Sequence, residues 1–278
     1  MIWLTYDGSA GGDWLARYAV QLARHTPERC LRLVHVASPA DRSSLTEEAL
    51  AGRVAALAEH AGGVEIRADR LAVRGDMCAT LESHLPRGPE HVILCGMRLR
   101  PGARGVLRGT VSERLLHHHG LQVLAVRIVK PGLLGAPHRL LLPLAGHPRG
   151  LRVVWAFLSL LLPSAAELTL LRVVPVPEVW ILKSSFAEEA RRKEAARVYL
   201  HGVAGELRQR WPTPLRVDER VRCATDWERE ILAQAGSLSA ELILLGASER
   251  GLLARSSAGR IDSILRHSPC DVAIYRGR

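Results

Sequence analysis

The segment CGMRLRPGARGVLRGTVSERLL (95–116) packs four glycines and four arginines between an apolar run and a helix-like stretch. Glycines let backbone N–H groups close on an anion, and arginine pairs with phosphate as a planar fork. A helix opening at Gly109-Thr110 would add its positive N-terminal end. The same residues also suit a basic surface turn, and Thr110 and Asp7 stand where helix caps would stand. His117-His118-His119 offers metal-ligating side chains, but successive residues on a helix point about 100° apart and cannot converge on one ion. That run is expected to be a solvated helix end. Ser9 and Ser112 have no His–Asp partner at a recognisable spacing, so nucleophilic catalysis is not expected. His35 and Cys95 fall inside apolar runs and suit packed positions, as does Cys270 after Pro269.

The elements that must carry this segment alternate. Ile2–Tyr6, 31–37 (LRLVHVA), 64–73, 91–95 (HVILC) and 121–128 have strand character, and helix-like stretches lie between them. These begin near Trp14, at a Ser44-x-x-Glu47 capping box running to His60, at a Gly75-Asp76 turn and cap, and at Gly109. Strand and helix alternating at this spacing predict βαβ units and a parallel sheet. The second half repeats the scheme: 140–144 answers Ile2–Tyr6, ELTLLRVV (167–174) answers LRLVHVA, and Ser185-x-x-Glu188 opens a long helix through Gln209. GTVSERLLHHHGLQVLAVR (109–127) aligns without gaps against AGRIDSILRHSPCDVAIYR (258–276), and VKPGLLGAPH (129–138) between the copies reads as a linker. The expected fold is therefore α/β, with two tandem doubly wound five-stranded parallel-sheet domains at 1–130 and 137–278.

Composition narrows the classes. The 278 residues are 47% hydrophobic and 24% charged, as in ordinary globular proteins. The net charge of +10 is spread over both halves and is almost all arginine, since the only lysines are Lys130, Lys183 and Lys193. With two Phe and four Tyr there is no aromatic platform, so nucleic acid is not an expected partner. The start MIWLTYDGSAGGDW lacks a signal peptide's basic region, and the apolar run 153–163 is too short to span a bilayer, so no membrane association is expected. Five scattered cysteines without a CxxC pair suit reduced thiols and a cytoplasmic location. Trp180 to Phe186 forms an apolar stretch that suits either a packed loop or a protein-partner surface.

A first strand ending in Asp-Gly-Ser, a Leu-x-His-Val second strand, the Gly-Thr-Val-Ser-Glu-Arg helix start and the ending RHSPCDVAIYR together resemble the universal stress protein family. The resemblance covers nearly the whole chain, as a tandem member. It implies a stress-response role and pairing through last strands, here as an intramolecular pseudo-dimer of the two domains, with a homodimer also open. It further implies an adenine nucleotide, ATP with Mg, bound by Gly-x2-Gly-x9-Gly-(Ser/Thr). The first copy reads Gly96-x2-Leu99-x9-Gly109-Thr110, keeping the spacing but placing leucine at the middle glycine. The resemblance assigns Asp7 to ribose or base and the Val36 backbone to adenine. Gly96, Arg98, Gly109, Thr110 and Val111 fall to the phosphates, with Arg100, Arg104 and Arg108 nearby. The second copy has Ala145 for Asp7 and Ala258-Gly259 for Gly109-Thr110, and reads as a non-binding structural copy. No residue stands out as a general base for hydrolysis, and an enzyme would rest on fold analogy alone. Nucleotide sensing and ligand-free protein interaction both remain open.

Overall fold

The computed structural model describes residues 1–38, 44–99, 106–107, 109–147, 150–176, 186–247 and 258–277. In the first half, β1 (Ile2–Thr5), α1 (Ala10–Arg24), β2 (Cys30–Ala37), α2 (Glu47–Ala58) and β3 (Glu65–Ala72) are followed by α3 (Met77–His84), β4 (Val92–Gly96), α4 (Val111–His117) and β5 (Val123–Arg127). The second half repeats this order. Its elements are β6 (Arg139–Pro143), α5 (Gly150–Leu161), β7 (Glu167–Pro175), α6 (Phe186–Arg210), β8 (Arg216–Ala224), α7 (Trp227–Ser237), β9 (Leu242–Gly246), α8 (Ala258–His267) and β10 (Asp271–Arg276).

One ten-stranded sheet results, in the order β3-β2-β1-β4-β5-β10-β9-β6-β7-β8. Every pairing within a half is parallel, which is why the central strands read as continuous apolar runs buried on both faces. The exception is the seam, where β10 runs antiparallel to β5 from Val272↔Arg127 to Arg276↔Val123. Each half reverses its winding direction beside its first strand, at β1/β4 and at β6/β9. In open parallel sheets that reversal opens a crevice beyond the carboxyl ends of the strands.

Side-chain alternation divides the core into two layers. Ile2, Leu4 and Tyr6 point to one face with Leu15 and Ala19 of α1, Phe157 of α5 and Leu200 of α6. Trp3, Val34, Ile93 and Cys95 point to the other, with Leu81, Leu115, Ile231 and Ile264 of α3, α4, α7 and α8. Both layers contain residues from both halves, so neither core stops at the seam.

Three local expectations change. Helix α1 begins at Ala10 instead of near Trp14, because Ser9 caps it by accepting from the Gly12 N–H at 3.0 Å. Helix α2 is capped by Thr46, which accepts from the Ala49 N–H, and not by Ser44. The Ser44 hydroxyl is enclosed without a hydrogen-bond partner among the described residues. The third strand is trimmed to 65–72 and the fifth to 123–127. Asp76 caps α3 through the Ala79 N–H at 2.7 Å. Ser185 and the stretch from Trp180 lie outside the described residues, although α6 begins at Phe186.

Candidate functional site

Asp7 follows β1 at the first half's winding reversal. The turn needs Gly8 at φ +73°, where a Cβ would also collide with Leu45. Asp7 Oδ1 accepts from the Ser9 N–H at 3.2 Å and from the Ser9 hydroxyl at 2.8 Å. The Asp7 carboxylate therefore steadies the residue that caps α1 but is not itself the cap. Its other oxygen pairs with the Arg98 guanidinium, which arrives from beyond β4 and lies over Gly11. An added Cβ at Gly11 would stand 3.5 Å from Arg98. Two elements remote in sequence thus bring an acid and a base together at the crevice mouth.

Val36 is buried near the end of β2 and pairs with Leu71 of β3. Beside it His35 is a structural tie. Its Nε2 accepts from the Leu45 N–H at 3.1 Å, so Nδ1 carries the proton and donates to the Tyr6 carbonyl at 2.9 Å. The Tyr6 hydroxyl donates to Asp13, which pairs with Arg53. Burial, with this bond to Asp13, raises the Tyr6 phenol above its ordinary range.

Gly96 closes β4, and its carbonyl accepts from the Ser112 hydroxyl at 2.6 Å. A Cβ there would meet Leu15 of α1 at 3.3 Å, so the small residue also serves helix packing. Gly109 sits at φ +71° and Thr110 caps α4, accepting from the Glu113 N–H at 3.1 Å. The Glu113 carboxylate reaches back to accept from the Gly109 N–H at 2.6 Å. Sequence reasoning does not single out Glu113, although Thr110-x-x-Glu113 has capping-box spacing. The consequence is chemical: a carboxylate already holds one of the N–H groups assigned to phosphate. Val111, half-buried, opens α4 against the core. Leu99 is 40% exposed and belongs to neither core layer. Arg100, Arg104 and Arg108 lie outside the described residues.

Other candidates resolve into structure. Cys95 is buried, and burial pushes its thiol up to about 12 against the lowering effect of the Ser112 hydroxyl. A thiol in that state is a poor nucleophile. His117 ends α4, His118 follows it, and the His119 ring lies 3.3 Å from Arg276. Among the described residues no group of three His, Cys, Asp or Glu side chains could hold a metal ion. No helix among them is long and apolar enough to cross a membrane.

The second crevice keeps the backbone and changes the chemistry. Gly146 repeats the turn at φ +82° after Leu144, and Ala145 stands in the position of Asp7. Arg172 of β7 replaces His35 and makes the equivalent tie, donating from Nη1 to the Leu144 carbonyl at 3.1 Å.

Comparison with known proteins agrees with this architecture. The model of the universal stress protein family matches residues 137–276. A universal stress protein from Archaeoglobus fulgidus superposes with a TM-score of 0.63 at 18% identity, covering 99% of this chain and 96% of that one. A putative universal stress protein from Pseudomonas aeruginosa gives 0.59 at 16%, covering 98% and 91%. The cytoplasmic domain of a prokaryotic cation chloride cotransporter gives 0.60 at 12%, covering 99% and 94%. At these identities the structures speak for the fold alone, and no curated protein matches the sequence. The family model spans half of the chain, and on that match the protein belongs to the universal stress protein family.

Proposed function

We propose that the protein is a tandem, stress-response regulatory module of the cytoplasm that binds an adenine nucleotide, ATP with Mg2+, in its N-terminal half. The observation that carries this reading is the Asp7–Arg98 pair at the β1/β4 crevice. A carboxylate suited to ribose hydroxyls and a guanidinium suited to phosphate stand together at the point where parallel sheets take their ligands. Both side chains are about half exposed, and such a pair is worth roughly 0–1 kcal/mol, so a nucleotide could part them at little cost. The Ser112 hydroxyl's bond to the Gly96 carbonyl brings the start of α4, and with it Thr110, to the end of β4. Among the described residues no carboxylate cluster offers Mg2+ a protein-held site, so the ion would arrive on the nucleotide. Nucleotide binding would then reorder the segment after β4 and change a surface presented to a protein partner. No hydrolysis is proposed. The unpaired, mostly buried cysteines support the cytoplasmic assignment. We read the β5–β10 seam as an intramolecular pseudo-dimer contact.

A second reading has its own observation. Glu113 occupies the Gly109 N–H, which favours a ligand-free interaction module whose α4 start is internally satisfied. Thermal unfolding with and without millimolar Mg-ATP separates the two. Ligand at about a hundred times its Kd stabilises the native state by roughly 2.7 kcal/mol. The nucleotide reading expects a shift of that size, lost in Asp7→Asn and Thr110→Arg. No shift, in protein free of copurified nucleotide, selects the interaction module.

A further inference from the structure

The end of the first half's glycine-rich segment is held from the other half. Val106 and Leu107 come just before the start of α4, and both are buried in the core layer that contains Ile261, Ile264 and Leu265 of α8. The Val106 N–H donates to Asp262 Oδ1 of α8 at 2.7 Å, across 156 positions of sequence. The other Asp262 oxygen stands 3.9 Å from the Arg266 guanidinium one turn along α8, so the carboxylate has a cation of its own beside it. The Leu107 carbonyl in turn accepts from the Thr110 N–H at 3.0 Å and from the Thr110 hydroxyl at 2.5 Å. A continuous set of bonds thus runs from α8 through 106–107 to the residue that caps α4.

Asp262 stands where Glu113 stands in the gapless alignment of 109–127 with 258–276. The two equivalent carboxylates act on one short stretch of backbone. Glu113 accepts from the Gly109 N–H of its own segment at 2.6 Å, and Asp262 reaches across to Val106. The copy that lacks the counterparts of Asp7 and Thr110 still supplies a carboxylate to the copy that has them.

A hydrogen bond to an ionised acceptor is stronger than a neutral one, and a buried N–H left without its acceptor is costly. A turn that must first be ordered binds its ligand more weakly, in proportion to the fraction of time it is out of place. An anchor that keeps the turn in place removes that cost. We infer that Asp262 is a positioning residue for the N-terminal crevice: the C-terminal half fixes the turn at 106–107, and through the Leu107 carbonyl it fixes Thr110 at the start of α4. The inference rests on the nucleotide reading for the identity of the ligand, while the anchoring of the turn does not depend on it. The second copy then takes part in the first copy's site without binding anything itself.

The test uses the full chain, with Asp262→Ala removing the acceptor and Asp262→Asn keeping an acceptor oxygen without the charge. Amide exchange is read first by NMR, without nucleotide. In Asp262→Ala the Val106 and Thr110 amides should lose about tenfold in protection, and Asp262→Asn should recover most of it. Leu116 in α4 and Leu124 in β5 should keep theirs, which shows that the variants are folded. Mg-ATP is then titrated by calorimetry. Its affinity should fall about tenfold in Asp262→Ala and return to within about twofold of the parent in Asp262→Asn. Unchanged Thr110 protection in Asp262→Ala overturns the inference, whether or not nucleotide binds. Mg-ATP affinity that is unaltered in Asp262→Ala, or raised in both variants, also overturns it, because the carboxylate would then act by charge or not at all. A parent that binds no Mg-ATP overturns the nucleotide reading, and the exchange measurement still decides whether Asp262 holds the turn.

Discussion

The two crevices share a backbone and differ in the charged side chains set on it. Both turn on a left-handed glycine, Gly8 at φ +73° and Gly146 at φ +82°. Both tie the second strand's side chain to the carbonyl before the turn, from His35 to Tyr6 at 2.9 Å and from Arg172 to Leu144 at 3.1 Å. The first then sets an acid at Asp7 and draws Arg98 onto it, whereas the second removes the acid and makes the tie itself cationic. The fold therefore requires the turn and the tie, while the electrostatics at the mouth are free to diverge.

The strongest way to break the comparison is to ask whether the halves are separable at all. Phe157 is fully buried, stacks on Tyr275 and belongs to a core layer that crosses the seam. Phe157→Ala should cost about 3–5 kcal/mol. Because the layer is continuous, urea unfolding should remain a single transition, and hydrogen exchange should show β1 and β10 amides losing protection together. Two transitions, with only the C-terminal amides affected, would make the halves independent.

The next effect concerns the first crevice and is smaller. Thr110→Ala removes the α4 cap and should cost about 1 kcal/mol in unfolding free energy. Glu113→Ala releases the Gly109 N–H and takes a carboxylate away from the assigned phosphate position. If nucleotide binds there, its affinity should rise several-fold in calorimetry even as the variant loses some stability. Affinity and stability falling together would show that Glu113 supports the site instead of competing for it. Asp7→Asn should change baseline stability by less than about 1 kcal/mol, since it breaks only an exposed ion pair.

The contrast between the halves also marks how far sequence could be read. Buried parallel strands announce themselves, and HVILC or ELTLLRVV can hardly be anything else. The edge strand β8, RVDERVRCA, does not: five of its nine residues are charged because the sheet's margin faces solvent, and its hydrophobic signal is weak. Caps were legible where only one candidate stood, as at Asp76, and misplaced where Ser44 and Thr46 compete within two residues. Asp7 and Arg98 were each visible as candidates, but their pairing across the neighbouring strands β1 and β4 was not, because no periodicity links positions so far apart in sequence. Arg172 was hidden for the opposite reason. In sequence it is one arginine among many, and only the register of β7 against β6 puts it where His35 stands in the first half.

The smallest effect sits at the equivalent starts of each half's last strand, and it depends on pH. In the first half Gln122, buried and neutral, donates to the Gly88 and Pro89 carbonyls. The same place in the second half holds Asp271, 1% exposed, whose Oδ1 accepts from the Val129 and Lys130 N–H groups at 2.7 and 2.8 Å. Burial raises the Asp271 carboxyl above its ordinary value, against the lowering effect of those two N–H bonds. A carboxyl raised on folding weakens the native state at pH above its folded value, and that penalty fades as acid protonates it. Asp69 has the opposite sign. Although burial alone would raise it, bonds from Arg32 and His84 hold it below the ordinary carboxylate range. Its contribution is present above the unfolded value and is lost as pH falls through the lowered one. Asp271→Asn keeps an oxygen to accept from Val129 and Lys130 and discards the buried charge. It should therefore unfold at a slightly higher temperature than the parent at pH 7, with the advantage disappearing in acid. Asp69→Asn should show the reverse, destabilised at pH 7 and converging on the parent as pH drops. If Asp271→Asn is instead destabilised at neutral pH, the two N–H groups need a full negative charge, and the linker is held by the ion rather than by the shape of the acceptor.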